Sequence, residues 1–420
     1  MLIFWRGPTT KILSLCISLT LGYVPVQYAA EPEARVRAIF HVAPASSGGS
    51  DSHPGTISEP FLTLERAKQA VRNVTEDMTG DAIVYLRGGT YELEEPLIFQ
   101  SHDSGQNGYR VIYMAYPGEH PIITGGERIS GWIPAGDGLY KATTNGLQFR
   151  QLYVNGKPRI RARTPNEGSF NRLHHWDESD RTIIVASSEV PNLSDVHEVE
   201  MIIHKEWIQN NLRLASIQLS GSEAHLIPVE PDRTKAFNSS EYLKKTGQSY
   251  YWENAFEFLD AEGEWYLMAA SNEVFYKPST GEDASTIFAV APKLVQLIRL
   301  QGTPDSPVKN IDFLGIAFEH STWLEPSEEG FASRYSDYIL KQNVKTYNIP
   351  GAIHIRNAEN IRFEGNVFRN LGATAVVLWS GVRDSAFIGN TFQDISASAI
   401  SIGMDLKNIL QTLHWSVGVT

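Results

Sequence analysis

The sequence predicts an all-β chain wound as a parallel β-helix, and three observations predict it. The first is a repeat. Ala358-Glu359-Asn360-Ile361-Arg362-Phe363-Glu364-Gly365-Asn366-Val367-Phe368-Arg369-Asn370 is echoed by Val382-Arg383-Asp384-Ser385-Ala386-Phe387-Ile388-Gly389-Asn390-Thr391-Phe392-Gln393-Asp394. Phe363 and Phe387, Gly365 and Gly389, Asn366 and Asn390, and Phe368 and Phe392 each lie 24 residues apart. A period in the twenties marks a solenoid. The second is alternation of apolar and polar residues within each copy, the periodicity of a strand. The third is punctuation: glycine and asparagine stand at the corners, where a sharp turn or a left-handed residue is needed, and no helix-length segment separates the strands. A leucine-rich repeat has a similar period, but its leucine spacing is absent. Val308 to Glu319 reads as a third copy, 50 residues ahead of the first, about two periods plus a small insertion.

Taken in order, residues 38–62 open with the short strand Ile39-Phe40-His41-Val42 and a loop rich in Ser, Gly and Pro. Thr63 is placed to cap a helix with an apolar face of Leu64, Ala67, Val71, Val74 and Met78. Such a helix would seal the open backbone edge at the start of the solenoid. Strands follow at Ala82–Leu86, Thr90–Leu93, Leu97–Phe99, Tyr109–Met114 and Pro121–Gly126. From about Ile129 the beat is lost until about Val308. The interval is rich in tryptophan and in short alternating segments, including a hairpin of Glu264–Leu267 and Glu273–Tyr276 around Asn272. The expected organisation is therefore residues 1–30 as a signal peptide, 31–128 as a cap and first coils, 129–307 as a β-rich insertion, 308–403 as repeats, and 404–420 as a divergent tail.

The chain has 420 residues, 42% of them hydrophobic and 20% charged, enough for a large core. Its net charge is −12, and removing residues 1–30, which hold Arg6, Lys11 and no acid, leaves about −14. Such a chain is poorly suited to nucleic acid or an anionic membrane. Residues 1–30 carry the marks of a secretory signal: basic residues, an apolar run from Ile12 to Val24, and Ala29-Ala30. That run is short for a membrane span. The single cysteine, Cys16, lies within it, so the mature chain would have no thiol, no disulfide and no cysteine metal site. The expectation is a secreted or periplasmic protein, not held by the membrane once the signal is removed, with its oligomeric state open.

A further set of residues carries a resemblance. It comprises Gly49-Ser50-Asp51 through Pro60-Phe61-Leu62-Thr63-Leu64, Tyr85-Leu86-Arg87-Gly88-Gly89-Thr90-Tyr91, Tyr116-Pro117-Gly118-Glu119 and Leu152-Tyr153-Val154-Asn155-Gly156. Arg161-Ala162-Arg163-Thr164-Pro165-Asn166, Glu253-Asn254-Ala255, Leu259-Asp260, Gly263-Glu264-Trp265-Tyr266-Leu267 and Phe318-Glu319-His320-Ser321-Thr322-Trp323 complete it. Over nearly all of 38–404 the chain resembles glycoside hydrolase family 141 and its relatives. The resemblance implies a right-handed parallel β-helix, a pectate-lyase-like solenoid, with an insertion domain. It also implies a carbohydrate-active enzyme, with release of α-L-fucose or cleavage of plant-type polysaccharide among its activities. These motifs are specific to architecture and much less so to substrate.

A glycosidase needs two carboxyls flanking the scissile bond. The acids on the repeats are Glu319, Glu325, Glu328, Glu329, Glu364, Asp384, Asp394 and Asp405. Glu319 and Asp405 are the catalytic candidates, and no residue is transferred from the family, whose catalytic acids are expected on later coils. His320, Trp323 and Trp379 are the candidates for sugar binding. Glu319, His320 and Trp323 leave a strand together at a long loop; the alternative is a solvated loop with Trp323 packed on the solenoid. Trp379 either lines a groove or packs at a corner. Asn360 with Asp384, and Asn370 with Asp394, are expected to make corner hydrogen bonds. Arg159, Arg161 and Arg163 alternate, and are expected to pair with carboxylates in preference to meeting an acidic sugar. His174-His175-Trp176-Asp177 is either a sugar-binding segment or a surface loop, and the loop is the expected reading because a third ligand at metal spacing is lacking.

No nucleophile elbow, phosphate loop or EF-hand loop is present. The expected function is glycoside hydrolysis of a poly- or oligosaccharide by two carboxylates, with no cofactor and no metal. The rivals are a polysaccharide lyase of the same fold, which would use a base and cationic or calcium help, and a glycan-binding solenoid without activity. Met404 to Thr420 fits no repeat. Leu406, Ile409, Leu410 and Leu413 have helical spacing, expected either as a cap or as a foreign reading frame that leaves the enzyme truncated.

Overall fold

The computed structural model describes residues 35–206, 208–238, 244–325, 331–334, 338–340, 346–403 and 417–419. The signal segment, Glu328, Glu329 and Asp405 lie outside these residues, as does most of the tail. No helix among the described residues is long and apolar enough to cross a membrane.

The chain is nearly all β. Three sheets are parallel throughout. Sheet one contains Val36–Val42, Asp81–Leu86, Val111–Ala115, Val308–Leu314, Ala358–Glu364, Ser385–Ile388 and Val417–Val419. Sheet two contains Gly89–Glu92, Pro121–Thr124, Ala317–Ser321, Val367–Leu371 and Thr391–Ile395. Sheet three contains Leu97–Phe99, Ile298–Gln301, Gly351–Arg356, Thr374–Leu378 and Ile400–Ile402. The chain visits sheets one, two and three in turn and then takes the next place in sheet one. Val417–Val419, placed by sequence in the divergent tail, pairs with Ser385–Phe387 and extends sheet one.

The repeat is written in ladders of like side chains. Phe363 stacks on Phe313 at 4.9 Å and on Phe387 at 5.2 Å, and Phe368 stacks on Phe318 at 5.1 Å and on Phe392 at 4.8 Å. These rings fill a single core that runs from Val42 to Val382 and Phe387 and takes side chains from all three sheets. Each ring buries a large apolar area against a copy of itself, which is why the 24-residue beat is so regular. The helix Leu64–Thr75 closes one end, capped by the Thr63 hydroxyl, which accepts from Arg66 N–H at 3.1 Å.

The 50-residue offset of the third copy has a different origin from the one expected. Val308 pairs directly with Ala358, so the two copies are neighbouring strands of sheet one, and the extra length is a second excursion at 322–350. Both excursions, 125–297 and 322–350, leave from the end of a sheet-two strand and return to start a sheet-three strand. The first therefore ends ten residues before the expected boundary, because Ile298–Gln301 pairs within sheet three.

The first excursion builds two sheets with their own apolar cores, antiparallel except where Ile160–Arg161 runs parallel to Glu264–Trp265. The hairpin at Asn272 is present, with Trp265 opposite Tyr276 and Asn272 at φ +55°. The second excursion lends Phe331–Arg334 to the edge of Gln209–Ser220. Trp176, expected in a surface loop, lies on a strand with its ring in the insertion core and its indole N–H on Gln248 at 2.9 Å.

Candidate functional site

The corner from which both excursions leave holds an irregularity in sheet two. Glu319 pairs with Arg369, and Arg369 with Gln393, so the next residues, His320, Asn370 and Asp394, form a column across three strands. Their φ values are +57°, +57° and +50°. Asparagine, aspartate and histidine are the non-glycine residues most often found in this left-handed backbone, which is uncommon for others.

The histidine is held from both sides. Its Nδ1 shares a 3.0 Å hydrogen bond with the Thr124 hydroxyl, and its ring centroid lies 5.0 Å from that of Tyr153 in the insertion. Gly126 permits this approach, since a Cβ there would stand 2.8 Å from His320 Cβ and 2.4 Å from Val290 Cγ1. Burial, and then the charge of Arg369, push the His320 pKa down to about 4. The imidazole is therefore neutral near pH 7, and Nε2 donates or accepts one hydrogen bond according to the tautomer.

Glu319 is 4% exposed. The Arg369 guanidinium holds its Oε1, with Nε at 2.8 Å and Nη2 at 2.7 Å. Its Oε2 stands 3.9 Å from His320 Nε2, beyond hydrogen-bond reach. Asn370 is 1% exposed, and neither its amide nitrogen nor its oxygen has a partner among the described residues. The corner asparagines of sheet one behave as expected by contrast: Asn360 donates to Asn310 Oδ1 at 2.6 Å, and Asn310 donates to the Gly105 carbonyl at 2.9 Å. A buried amide without a partner costs about 1–3 kcal/mol, and such groups concentrate at functional sites. Asp394, at the far end of the column, is exposed. The phenol of Tyr153 is raised well above its ordinary value by burial and then by the charge of Asp394.

Within the insertion lies a layer of buried charge. Arg150 meets Glu200 at 2.6 and 2.7 Å, and Arg161 meets Glu200 at 2.9 Å and Glu253 at 3.0 Å. Burial opposes ionisation of Glu200, but Arg150 and Arg161 together hold its carboxyl well below the usual range. Arg159 pairs with Glu282. Arg163 departs from the expected carboxylate pairing. It donates to the carbonyls of Pro165 and Ser169 and lies 3.6 Å above the Tyr251 ring.

The structure thus brings Glu319 and His320 together and separates the other candidates from them. Trp323 is 7% exposed and packs with Ile349 and Ala373 in a small apolar cluster. Trp379 follows a sheet-three strand, half-buried, with its ring 5.5 Å from that of His354. Asp405 lies outside the described residues. Arg369, Asn370 and Tyr153 were missed. The first two stand 50 residues after Glu319 and His320, an offset that would have found them had it been read as one coil. Nothing local marks Tyr153. Among the described residues no three His, Cys, Asp or Glu side chains converge to hold a metal ion.

Residues 137–279 match the model of the GH141 insertion domain. A solved structure described as a glycoside hydrolase superposes with a TM-score of 0.79 at 27% identity, over 87% of this chain and 67% of that one. This chain therefore spans about two thirds of that protein's length. The complex structure of XylC with xylose aligns over 85% of this chain and 54% of that one at 14% identity and a TM-score of 0.35, too little to bear on the argument. No curated protein sequence matches the chain.

Proposed function

We propose that this chain is an exported glycoside hydrolase, of the α-L-fucosidase or plant-polysaccharide type, built as a right-handed parallel β-helix. The recurring order of sheets one, two and three, with every pairing between coils parallel, supports the solenoid. Parallel strands of one sheet joined by a crossover are nearly always connected right-handedly, which supports the hand. The basic and apolar pattern of residues 1–30 supports export.

The observation that carries the reading is the column His320–Asn370–Asp394 at the root of the insertion that matches the GH141 model. In this reading Asp394 is the exposed carboxyl and Glu319 the one held by Arg369. Two strand spacings set their backbones about 10 Å apart along the stack. Side-chain reach narrows that gap towards the separation at which a water fits between paired carboxyls. His320, neutral and 8% exposed, faces the same corner and would hydrogen-bond a sugar hydroxyl.

Incubation with α-L-fucosides and plant polysaccharides, followed by reducing-sugar release, tests the reading. Glu319→Gln and Asp394→Asn are each expected to slow release by about 100-fold or more without changing the circular dichroism. Full activity in both variants would remove these carboxyls from the mechanism. An unsaturated, ultraviolet-absorbing product would replace the hydrolase reading with the lyase. Glycan binding without release would leave a binding solenoid.

A further inference from the structure

The outer face of sheet three carries positive charge that no carboxylate among the described residues pairs with. Ile298 and Leu300 point into the core, as do Ile353 and Ile355, so Arg299, Gln301, His354 and Arg356 face outward. Register places Arg299 beside His354 and Gln301 beside Arg356. The next strand sets Ile355 against Leu378, and the Trp379 N–H bonds to the Ile355 carbonyl at 2.8 Å, which brings Trp379 alongside Arg356. Arg299, His354, Arg356 and Trp379 thus occupy one patch across three strands.

The chain as a whole is acidic, at −12, and arginines elsewhere around the three parallel sheets find carboxylates: Arg72 with Asp103, Arg87 with Glu119, Arg110 with Asp312, Arg362 with Glu364 and Arg369 with Glu319. Arg299 and Arg356 do not, among the described residues. Arg299 donates instead to the neutral Gln296 side chain, at 3.0 Å from Nε. Arg356 is exposed. Between them sits His354, whose pKa is pushed down to about 4 by burial, then by Arg299 and Arg356, so it adds no charge of its own near pH 7. The half-buried Trp379 ring packs on His354, 5.5 Å between centroids and tilted by 42°.

We propose that this face of sheet three binds a glycan bearing anionic substituents, with a pyranose ring against Trp379 and its carboxylate or sulfate on Arg356 and Arg299. An indole offers an apolar platform for the C–H face of a sugar, and a guanidinium is the side chain best shaped for a bidentate contact with either anion. The two uncompensated arginines supply the charge complementarity that the acidic remainder of the surface withholds. The inference goes beyond the hydrolase reading, because it requires binding and no bond cleavage. It leaves Glu319 and Asp394, at the end of sheet two, uninvolved.

Isothermal titration of the full chain tests it with three probes: oligogalacturonate, a sulfated galactan oligosaccharide and a neutral xylo-oligosaccharide. The expected result is binding of at least one anionic probe and none of the neutral one, with affinity falling as salt is raised. Arg356→Gln, at an exposed side chain, and Trp379→Ala are each expected to weaken binding by about tenfold or more, while Asp394→Asn leaves it unchanged. Binding of only the galacturonate assigns the site to uronates, binding of only the sulfated probe assigns it to sulfate esters, and binding of both assigns it to charge alone. Equal affinity for the neutral probe, or full affinity in Arg356→Gln, would overturn the proposal. Loss of binding in Asp394→Asn would move the site to the corner of sheet two. Sugar release plays no part in these readouts, so the two proposals fail separately.

Discussion

The side-chain oxygen of Asn390 accepts two hydrogen bonds from Asn366, 24 residues earlier: one from its backbone N–H at 2.9 Å and one from its amide at 3.0 Å. Asn366 makes the same contacts one repeat earlier, accepting from Ile316 N–H at 2.9 Å and donating to the Phe313 carbonyl at 2.9 Å. The corner is thus satisfied by a ladder of asparagines, each completing the backbone of its neighbour.

Asn366 is 1% exposed, so truncating it strands a buried N–H and a buried carbonyl. Asn366→Ala is expected to lower the unfolding free energy by about 2–4 kcal/mol. Asn390→Ala is expected to cost less, because Asn390 is only half-buried. Urea denaturation of the two variants measures the difference, and equal losses would mean that the ladder is not what stabilises the corner.

The phenylalanine stacks make a second contrast. Phe363 is fully buried between two rings, whereas Phe392 covers one ring and is itself half-buried. Phe363→Ala is expected to cost about 3–5 kcal/mol, and Phe392→Ala about 1–2 kcal/mol from lost burial. Thermal melts followed by near-ultraviolet circular dichroism rank them.

Glu319 is buried and Arg369 is 43% exposed at its side chain, so the cost of breaking the pair is asymmetric. Arg369→Gln leaves a buried carboxylate without its counter-charge and is expected to cost about 1–3 kcal/mol. Adding Glu319→Gln to it recovers part of the loss. A double-mutant cycle by denaturant melts gives the coupling, and strict additivity would show that the two side chains do not interact in solution.

Lys205 supplies a pH signature. Its ammonium lies 4.3 Å from the Trp176 ring centroid and has no hydrogen-bond partner among the described residues. Burial, and then Lys244, lower its pKa from 10.5 to about 7 against the pull of Glu178. Between pH 7 and 10.5 the unfolded chain binds a proton that the folded chain has released, so stability rises with pH across that window. The rise is expected to be on the order of 3 kcal/mol. Lys205→Met is expected to remove it and to be the more stable protein at pH 7. Parallel slopes for the two proteins in melts taken from pH 7 to 10 would contradict this.

The repeats were legible in the sequence because each one meets the environment of the last. Phe363 must fit on Phe313 and under Phe387, and Asn366 must complete Phe313 and accept Asn390, so the same letters recur at a fixed interval. The Thr63 cap and the Asn272 hairpin were legible for a related reason, since their partners lie within a few residues. What the sequence misjudged was the offset of 50, because an excursion and an extra coil lengthen the interval alike and only strand pairing distinguishes them. The tertiary structure alone decided the corner and the outer face of sheet three. Tyr153 reaches His320 from 167 residues away, and Arg299, Arg356 and Trp379 meet from strands separated by the second excursion and a turn of the coil. Such meetings depend on where the chain re-enters the stack, and periodicity, which records neighbours only at a constant spacing, is silent once an insertion has changed that spacing.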